Sequence, residues 1–572
     1  MQVSSSILKL TFQVSHEKMA TSDGRAPNNF EVAGVDGVFH PATAELSGRE
    51  VWLTSSKVSD PVNARYAWAD FPEPKPNLVN TSGLPASPFT TEAEIPDGQP
   101  PSEDDRPNIL LIVSEDNGPE LGCYGDRYAT TPNIDAFAAE SIRFKTAYVT
   151  QAVCSSSRSS LLTGMYPHQN GQIGLATHDF RMFKAWPTTY SILKQAGYTT
   201  GMIGKLHVNP TRVVEDYIDY RAIRSSNFAK KNLGDYAQHS AAFINGANKP
   251  FFLTVNFPDA HWPVQNQVEG RPAKLLKGSD VRPMPYVAFD NERLRSHVQG
   301  FYNCMTRLDE CVGELLQVLE ESGKGRNTLV IYIGDHGAQF ARGKVYVTEG
   351  GLRIPFIVRW PGKVKEGYAS DQMVSTIDIL PTIVTAARAK VPTGLAGKDL
   401  TGVLGGNENP IREYLFGERN TDAAVFHYPQ RAIRDAQYKL IKTLLPEIPD
   451  PGTHRYLTHA LSNFRGSPTY DELKTASGRT QHIYSQWLHP PEYQLFDLQA
   501  DPSEFTNLAE DASYKDVRHR LLERLQRWQT ETNDGLANPE LLTRLTNEVN
   551  ECLDNNRRIP AGGWKYADYL AP

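Results

Sequence analysis

Three unbroken apolar runs constrain this chain more than any other feature: Asn108–Val113, Phe251–Asn256 and Leu329–Ile333. A strand with one solvated face alternates apolar and polar residues. These runs do not alternate, so both of their faces must be covered, as in a parallel sheet packed between helices. The segments between them carry helical spacing. In FYNCMTRLDECVGELLQVLEE, Met305, Leu308, Val312, Leu315, Leu316 and Leu319 fall on one face. Strands alternating with helices predict an α/β fold, a mostly parallel sheet flanked by helices. In such sheets the chemistry collects beyond the carboxyl ends of the strands.

Composition narrows the class. The 572 residues hold 59 Lys+Arg against 66 Asp+Glu, a formal charge of −7. That mild acidity argues against a nucleic-acid binder, which carries a basic footprint. A hydrophobic fraction of 40% with 22% charged residues excludes global disorder, collagen-like chains and coiled coils. No apolar run approaches the ~18 residues of a membrane span. At roughly 150 residues per domain the length suggests about four domains; large enzyme domains run longer, so the expectation is two or three. The first residues lack the basic, apolar and small-residue regions of a signal peptide. Either the protein stays where it is made or its natural start lies upstream. Leu8, Leu10, Phe12 and Val14 instead alternate with polar residues, a strand pattern.

Three parts follow from the patterning. Residues 1–91 read as an all-β module, with a hairpin over Phe30–Val38 turning at Asp36-Gly37 and strands at Glu50–Thr54 and Ala64–Trp68. Residues 92–105, EAEIPDGQPPSEDD, read as a solvated acidic, proline-rich linker; the alternative is a cation-binding patch. Residues 106–415 form the α/β domain. Residues 416–572 form a smaller α+β subdomain and tail: a hairpin from Ala432–Arg434 and Tyr438–Ile441, a strand at Tyr493–Leu498, and a closing helix striped by Val517, Leu521, Leu525 and Trp528.

Two acidic elbows stand where the sheet's chemistry is expected. Glu115 and Asp116 follow one apolar strand, and Asp335 and His336 follow another. Carboxylates gathered in one crevice repel unless a cation neutralises them. Oxygen-rich donors select Ca²⁺ or Mg²⁺, and the imidazole would also admit Mn²⁺. An N-cap is the alternative use of either elbow.

The five cysteines, Cys123, Cys154, Cys304, Cys311 and Cys552, are too few for a disulfide scaffold, and their odd number leaves a thiol unpaired within the chain. Cys304 and Cys311 lie seven apart on one helix, a rise of ~10.5 Å, too long for a disulfide. Cys154 sits in VCSSSRSSLLTG, where Arg158 can acidify the thiol.

CSSSRSSLLTG resembles the signature of type I sulfatases, a Cys-x-Pro-x-Arg core followed by Thr-Gly. GYTTGMIGKLH is similar to that family's second signature, RPNILLIVSEDN to its first metal-binding strand, and GDHG to its second. PNIDAFAAES, LRIPFIVRWPG and YQLFDLQADPSEFTNLA fit as well, so the resemblance covers about residues 106–545 in order. It implies the alkaline-phosphatase superfamily fold. HQNGQIGL, FPDAHWP, HYPQRAIRDAQYKLI and WQTETND look most like the heparan N-sulfatase (sulfamidase) branch.

The resemblance implies a mechanism. Cys154 would be oxidised to Cα-formylglycine by a formylglycine-generating or anaerobic maturating enzyme, and its hydrate would attack sulfur through a covalent sulfo-enzyme. Glu115, Asp116, Asp335, His336 and the modified Cys154 would hold the metal, Ca²⁺ first, with Mg²⁺ or Mn²⁺ possible. Arg158 would pair with the developing oxyanion, Lys205 and Lys344 would bind sulfate oxygens, and His207 would hydrogen-bond the hydrate. His261 would be the general acid. His178 and Asp179 are expected substrate contacts, with a turn the alternative for both. Two positions depart from the family pattern: Ser156 replaces the proline read by maturation enzymes, and Glu115 replaces an aspartate.

A second resemblance covers the first 91 residues. FEVAGVDG, PVNARYAWAD and GLPASPF look like the C-terminal end of sialate O-acetylesterase-type proteins, without that family's nucleophile segment. No esterase activity is expected from it. The functional expectation is sulfate-ester hydrolysis on a sulfated carbohydrate. The alternatives are N-linked sulfate (sulfamidase), phosphonate monoester or phosphodiester hydrolysis, and an inactive glycan-binding protein. The family resemblance alone points to a periplasmic or secreted location, and oligomeric state is open.

Overall fold

A computed structural model describes residues 2–4, 7–12, 18–34, 38–67, 72, 74–91, 106–224, 233–459 and 464–571. The chain divides into two compact units, Met1–Glu103 and Asp104–Pro572. The acidic linker, the Asp36-Gly37 turn, Val14 and Trp68 lie outside the described residues.

The larger unit is built on an eight-stranded sheet. From edge to edge its strands are Tyr220–Ala222, Thr199–Gly204, Phe251–Asn256, Asn108–Ser114, Thr328–Gly334, Phe356–Arg359, Ile142–Tyr148 and Ala369–Ser375. All neighbours pair in parallel except Phe356–Arg359, which runs antiparallel to both of its partners. The absence of alternation in the sequence has a direct structural counterpart. Along Asn108–Ser114, Leu110 and Ile112 enter one core, while Ile109, Leu111 and Val113 enter the core on the opposite face. Successive side chains of a strand point to opposite faces, so both faces are dry and the run Ile109–Val113 between them is wholly apolar.

The long helix Glu292–Glu321 packs on one face, burying Leu294, Val298, Phe301, Leu308, Val312, Leu315 and Leu319. It begins nine residues before the dense apolar stripe at Phe301, because Asn291 caps it by accepting from the Leu294 N–H at 2.8 Å. Cys304 and Cys311 are unpaired and buried in that core.

The C-terminal part carries an antiparallel sheet, Leu415–Arg419, Gln430–Arg434, Tyr438–Thr443 and Tyr493–Asp497, with the helix Lys515–Glu531 against it. The boundary read at 415/416 therefore falls inside a strand. The expected tail is packed as well. Trp564, Tyr566 and Leu570 share a core with Ile173 and Phe180, and Trp564 Nε1 donates to the His178 carbonyl at 2.8 Å.

Among its described residues the smaller unit is all-β. One antiparallel sheet runs Gln2–Ser4, Ile7–Thr11, Glu50–Thr54, Thr43–Ser47, and another runs Phe89–Thr90, Asn63–Tyr66, Phe30–Ala33, His40–Pro41. Leu8, Leu10, Val32, Val51, Leu53 and Tyr66 fill its core. Among the described residues no helix is long and apolar enough to cross a membrane.

Candidate active site

Four neighbouring parallel strands end together. Register pairs Gly204 with Asn256, Val113 with Asn256, and Ser114 with Gly334. Glu115 and Asp116, Asp335 and His336, Lys205 and His207, and His261 all lie on the segments leaving these ends. Gly204 makes the first of these turns possible. Its φ is +89°, and a Cβ there would lie 2.1 Å from the Asn256 carbonyl oxygen, so only glycine lets the chain pass at this point.

Cys154 opens the helix Cys154–Thr163, which ends at Gly164 in the left-handed region. A residue in the first turn faces the positive end of the helix dipole, a favourable place for anionic chemistry. The serines around it fasten this buried helix to its surroundings. Ser155 Oγ accepts from the Ala176 N–H at 2.9 Å, Ser157 Oγ donates to the Asp335 carbonyl, and Thr150 donates to Ser160 Oγ at 2.8 Å. Ser156 Oγ, at the position of the family's proline, has no partner.

Around Cys154 the expected acids and bases converge. Its sulfur lies 3.3 Å from His336 Nε2 and 3.7 Å from Glu115 Oε1. His336 Nε2 is 3.4 Å from Asp116 Oδ1 and 3.7 Å from Asp335 Oδ1. Its Nδ1 lies 3.0 Å from the Gly337 carbonyl. That contact aims Nε2 at the carboxylates. The Asp116 N–H donates to Asp335 Oδ1 at 3.0 Å, tying the two elbows together. Arg158 donates through Nη2 to Asp335 at 3.1 Å and through Nη1 to Asn256 at 2.7 Å. Lys205 pairs with Glu115, and Lys344 donates to both oxygens of Asp116 at 2.8 Å. His261 Nε2 stands 3.9 Å from Glu115.

The charges interact strongly because the cluster is buried. Burial pushes the Cys154 thiol up, but Lys205, Lys344 and His336 outweigh it and hold the thiol well below its ordinary value. Burial disfavours the charged form of His336, yet Asp335, Cys154 and Asp116 raise it to about 9. His207 goes the other way, lowered to about 4 by burial and Lys205. Burial raises Glu115 despite Lys205 and His261. In Asp116 the burial cost is overcome by Lys344, His261 and His336, and its pKa falls.

The donor set could hold a divalent cation. Ligand atoms of Glu115, Asp116, Cys154 and His261, and of Cys154, Asp335 and His336, lie within 4.8 Å of one another in each group. Glu115 Oε2 is buried with no hydrogen-bond partner. A buried, unsatisfied carboxylate oxygen is costly, and a cation would satisfy it.

The cluster opens on a cavity of about 850 Å³ lined by Cys154, His178, Lys205, His207, His261 and Lys344. Arg221, Arg224, Arg455, Arg557 and Arg558 also line it, a local positive surface on a chain of net charge −7. Asp179 is not among the lining residues. It ends the turn Ala176–His178 with φ +60° and accepts from Asn209 Nδ2 at 3.4 Å.

The Sulfatase family matches residues 107–389, and the N-sulphoglucosamine sulphohydrolase C-terminal family matches residues 334–447. The chain belongs to the sulfatase family. This sulfatase is 28% identical to the Ulvan-active sulfatase of Formosa agariphila over 447 residues, 76% of this chain and 82% of the relative. It is 29% identical to the N-sulphoglucosamine sulphohydrolase of Homo sapiens over 464 residues, 75% of this chain and 90% of the relative. A solved structure described as in complex with its substrate D-glucosamine-2-N,6-O-disulfate shares the fold, with a TM-score of 0.57 at 20% identity over 75% of this chain and 98% of that one.

Several residues of the sulfatase's site were not foreseen. Asn256 closes a strand, so the rule that located the acidic elbows could have found it. Asp422 and Gln339 line the cavity from loops with no spacing signal. Asp259 and Arg307 form a buried ion pair behind His261, with Asp259 Oδ1 2.8 Å from Arg307 Nη2.

Proposed function

We propose that this sulfatase removes sulfate from a sulfated carbohydrate at Cys154, with a divalent cation held by Glu115, Asp116, Asp335 and His336. The observation that supports this reading most is the convergence of those four residues on the Cys154 sulfur, with two buried lysines at its edge. Cys154 is read as the precursor of Cα-formylglycine, whose hydrated aldehyde supplies an oxygen nucleophile that can later be released from sulfate. The cation would supply Lewis acidity toward the sulfate oxygens.

The chain's own residues do the rest. Lys205 and Lys344 present ammonium groups to the sulfate. Each is paired here with a carboxylate of the candidate metal site, and engagement of that carboxylate by a cation would leave the ammonium free for an incoming anion. Arg158, fixed by Asp335 and Asn256, places its guanidinium beside residue 154. His207, neutral with its pKa lowered to about 4, offers a hydrogen bond without adding charge. His261 stands at the cavity side of Glu115, where it can pass a proton to the departing oxygen or nitrogen. The arginine-rich lining favours a substrate with more than one anionic group.

A desulfation screen over defined sulfated mono- and oligosaccharides, including N-sulfoglucosamine and O-sulfated sugars, tests this reading. Cys154→Ala is the control, with mass spectrometry of the residue 154 peptide. Sulfate release that depends on Cys154 is the expected result. A preference for phosphodiesters over every sulfated sugar, or an active enzyme with a plain thiol at 154, would overturn it.

A further inference from the structure

The same cavity contains buried polar atoms that the sulfate chemistry does not use. Asp422, 1% exposed, lines it. Its Oδ1 accepts from Gln151 Nε2 at 2.5 Å, and Gln151 is itself held by Asn420 Nδ2 at 2.9 Å. Its backbone is anchored too: the carbonyl accepts from the Leu175 N–H at 2.7 Å, and φ is +52°. The carboxylate is thus fixed through one oxygen, while the other, Oδ2, has no hydrogen-bond partner. Gln339, 7% exposed, lines the same cavity with both amide atoms, Oε1 and Nε2, unpartnered. Buried polar groups are ordinarily satisfied. Three unsatisfied atoms on two residues of one cavity mark a place where a polar ligand belongs.

The chemistry of that ligand can be read from the donors and acceptors. Asp422 offers an acceptor, and Gln339 offers one acceptor and two N–H donors. Sulfate has no hydrogen to give Asp422. A ring hydroxyl can donate to Asp422, and a neighbouring hydroxyl can both donate to and accept from Gln339. We propose that Asp422 and Gln339 are specificity-determining residues that bind hydroxyls of the sugar ring whose sulfate is removed. This rests on the sulfatase reading for the choice of ring but not for the binding itself. Asp422 and Gln339 sort sugars by their hydroxyl pattern, a task the arginines lining the cavity cannot perform, because charge attraction is indifferent to ring stereochemistry.

The test separates binding from turnover. Calorimetry with N-sulfoglucosamine and glucosamine 6-sulfate would compare Cys154→Ala with Cys154→Ala carrying Asp422→Asn or Gln339→Ala. Asn keeps the acceptor for Gln151 and turns the free acceptor into a donor. At least tenfold weaker binding of the sugar that binds best is expected for each variant. In the Cys154 background, the ratio of kcat/KM on that sugar to kcat/KM on an aryl sulfate should fall at least tenfold. Binding unchanged in both variants, no binding of either sugar to Cys154→Ala, or equal losses on sugar and aryl sulfate would overturn the proposal. Circular dichroism checks folding; if Asp422→Asn does not fold, Gln339→Ala decides alone. Failure of the sulfatase reading is distinguishable, since it appears as absent sulfate release by the parent enzyme while the binding comparison still gives its answer.

Discussion

Arg307 grips Asp259 with two parallel hydrogen bonds, Nε to Oδ2 and Nη2 to Oδ1, each 2.8 Å and both residues buried. The same guanidinium donates through Nη1 to the Gln265 carbonyl at 2.8 Å. The long helix therefore clamps the loop on both sides of His261. Asp259 in turn accepts from the Glu115 N–H at 3.0 Å through its carbonyl. One buried pair sets the position of the candidate acid and of a candidate metal ligand. Removing one partner strands a buried charge and costs roughly 3–5 kcal/mol, whereas replacing both is far milder. Arg307→Met should lower stability by about that much in urea unfolding and reduce kcat by at least tenfold. Arg307→Met with Asp259→Leu should recover most of the stability but not the kcat. If the double variant is as unstable as the single, the pair is not what the clamp depends on.

Metal removal gives a second prediction. Binding to the folded state alone stabilises by RT ln(1 + [L]/Kd), about 2.7 kcal/mol at a hundred times Kd. Dialysis against a chelator should therefore abolish sulfate release and lower the melting temperature, with Ca²⁺, Mg²⁺ or Mn²⁺ restoring both. Glu115→Gln should weaken the restoring ion at least tenfold, because it removes the charge of the carboxylate whose Oε2 is unpartnered. An unchanged melting curve after exhaustive chelation would count against the site.

At Gly204 the backbone itself is the device. With φ +89° and the Asn256 carbonyl 2.1 Å from where a Cβ would stand, Gly204→Ala must move one of two strand ends. Left-handed strain alone costs on the order of 1–3 kcal/mol, and the clash adds to it. Lys205 follows directly, so activity should fall further than stability accounts for. Sulfate release, measured at a temperature where the variant remains folded, checks this.

Much of the architecture could be read from residue patterns, and the reason is physical. Phe251–Asn256 is a strand over the same residues that the apolar run predicts, and Leu329–Ile333 extends by one residue at each end, because burial on both faces leaves few polar positions to blur the signal. Ile142–Tyr148 was visible only as part of no clear pattern: Arg143, Lys145 and Thr146 interrupt it near the sheet edge, where the faces are partly open. The metal-type cluster was legible because acids placed just past parallel strands must meet. Asp422 was not. It reaches the cavity from the loop after Leu415–Arg419, held by Gln151 from a position 271 residues earlier, and no local spacing encodes such a meeting. The pattern of the C-terminal segment predicts a tail, yet Trp564 and Phe180 stack with centroids 4.3 Å apart. Trp564, Tyr566 and Tyr569, three aromatics in one short stretch, carry too little periodicity to announce a docking face.

Glu120 supplies a prediction for pH. It is 7% exposed, and its Oε2 has no partner. Burial, reinforced by Asp126, pushes its carboxyl from the ordinary 4.5 up to about 7. The folded protein therefore keeps the Glu120 proton over a range where the unfolded chain has lost it. Between about pH 4.5 and 7 the folded state binds more protons, so stability falls as pH rises through that window and levels off above it. At about 1.4 kcal/mol for each pH unit of the gap, the full effect is on the order of 3 kcal/mol. Glu120→Gln removes the titration while keeping the shape of the side chain. Its melting temperature should match that of the parent near pH 4.5 and exceed it by several degrees at pH 8. A Glu120→Gln advantage that is the same at both pH values would show that Glu120 is charged in the folded protein throughout.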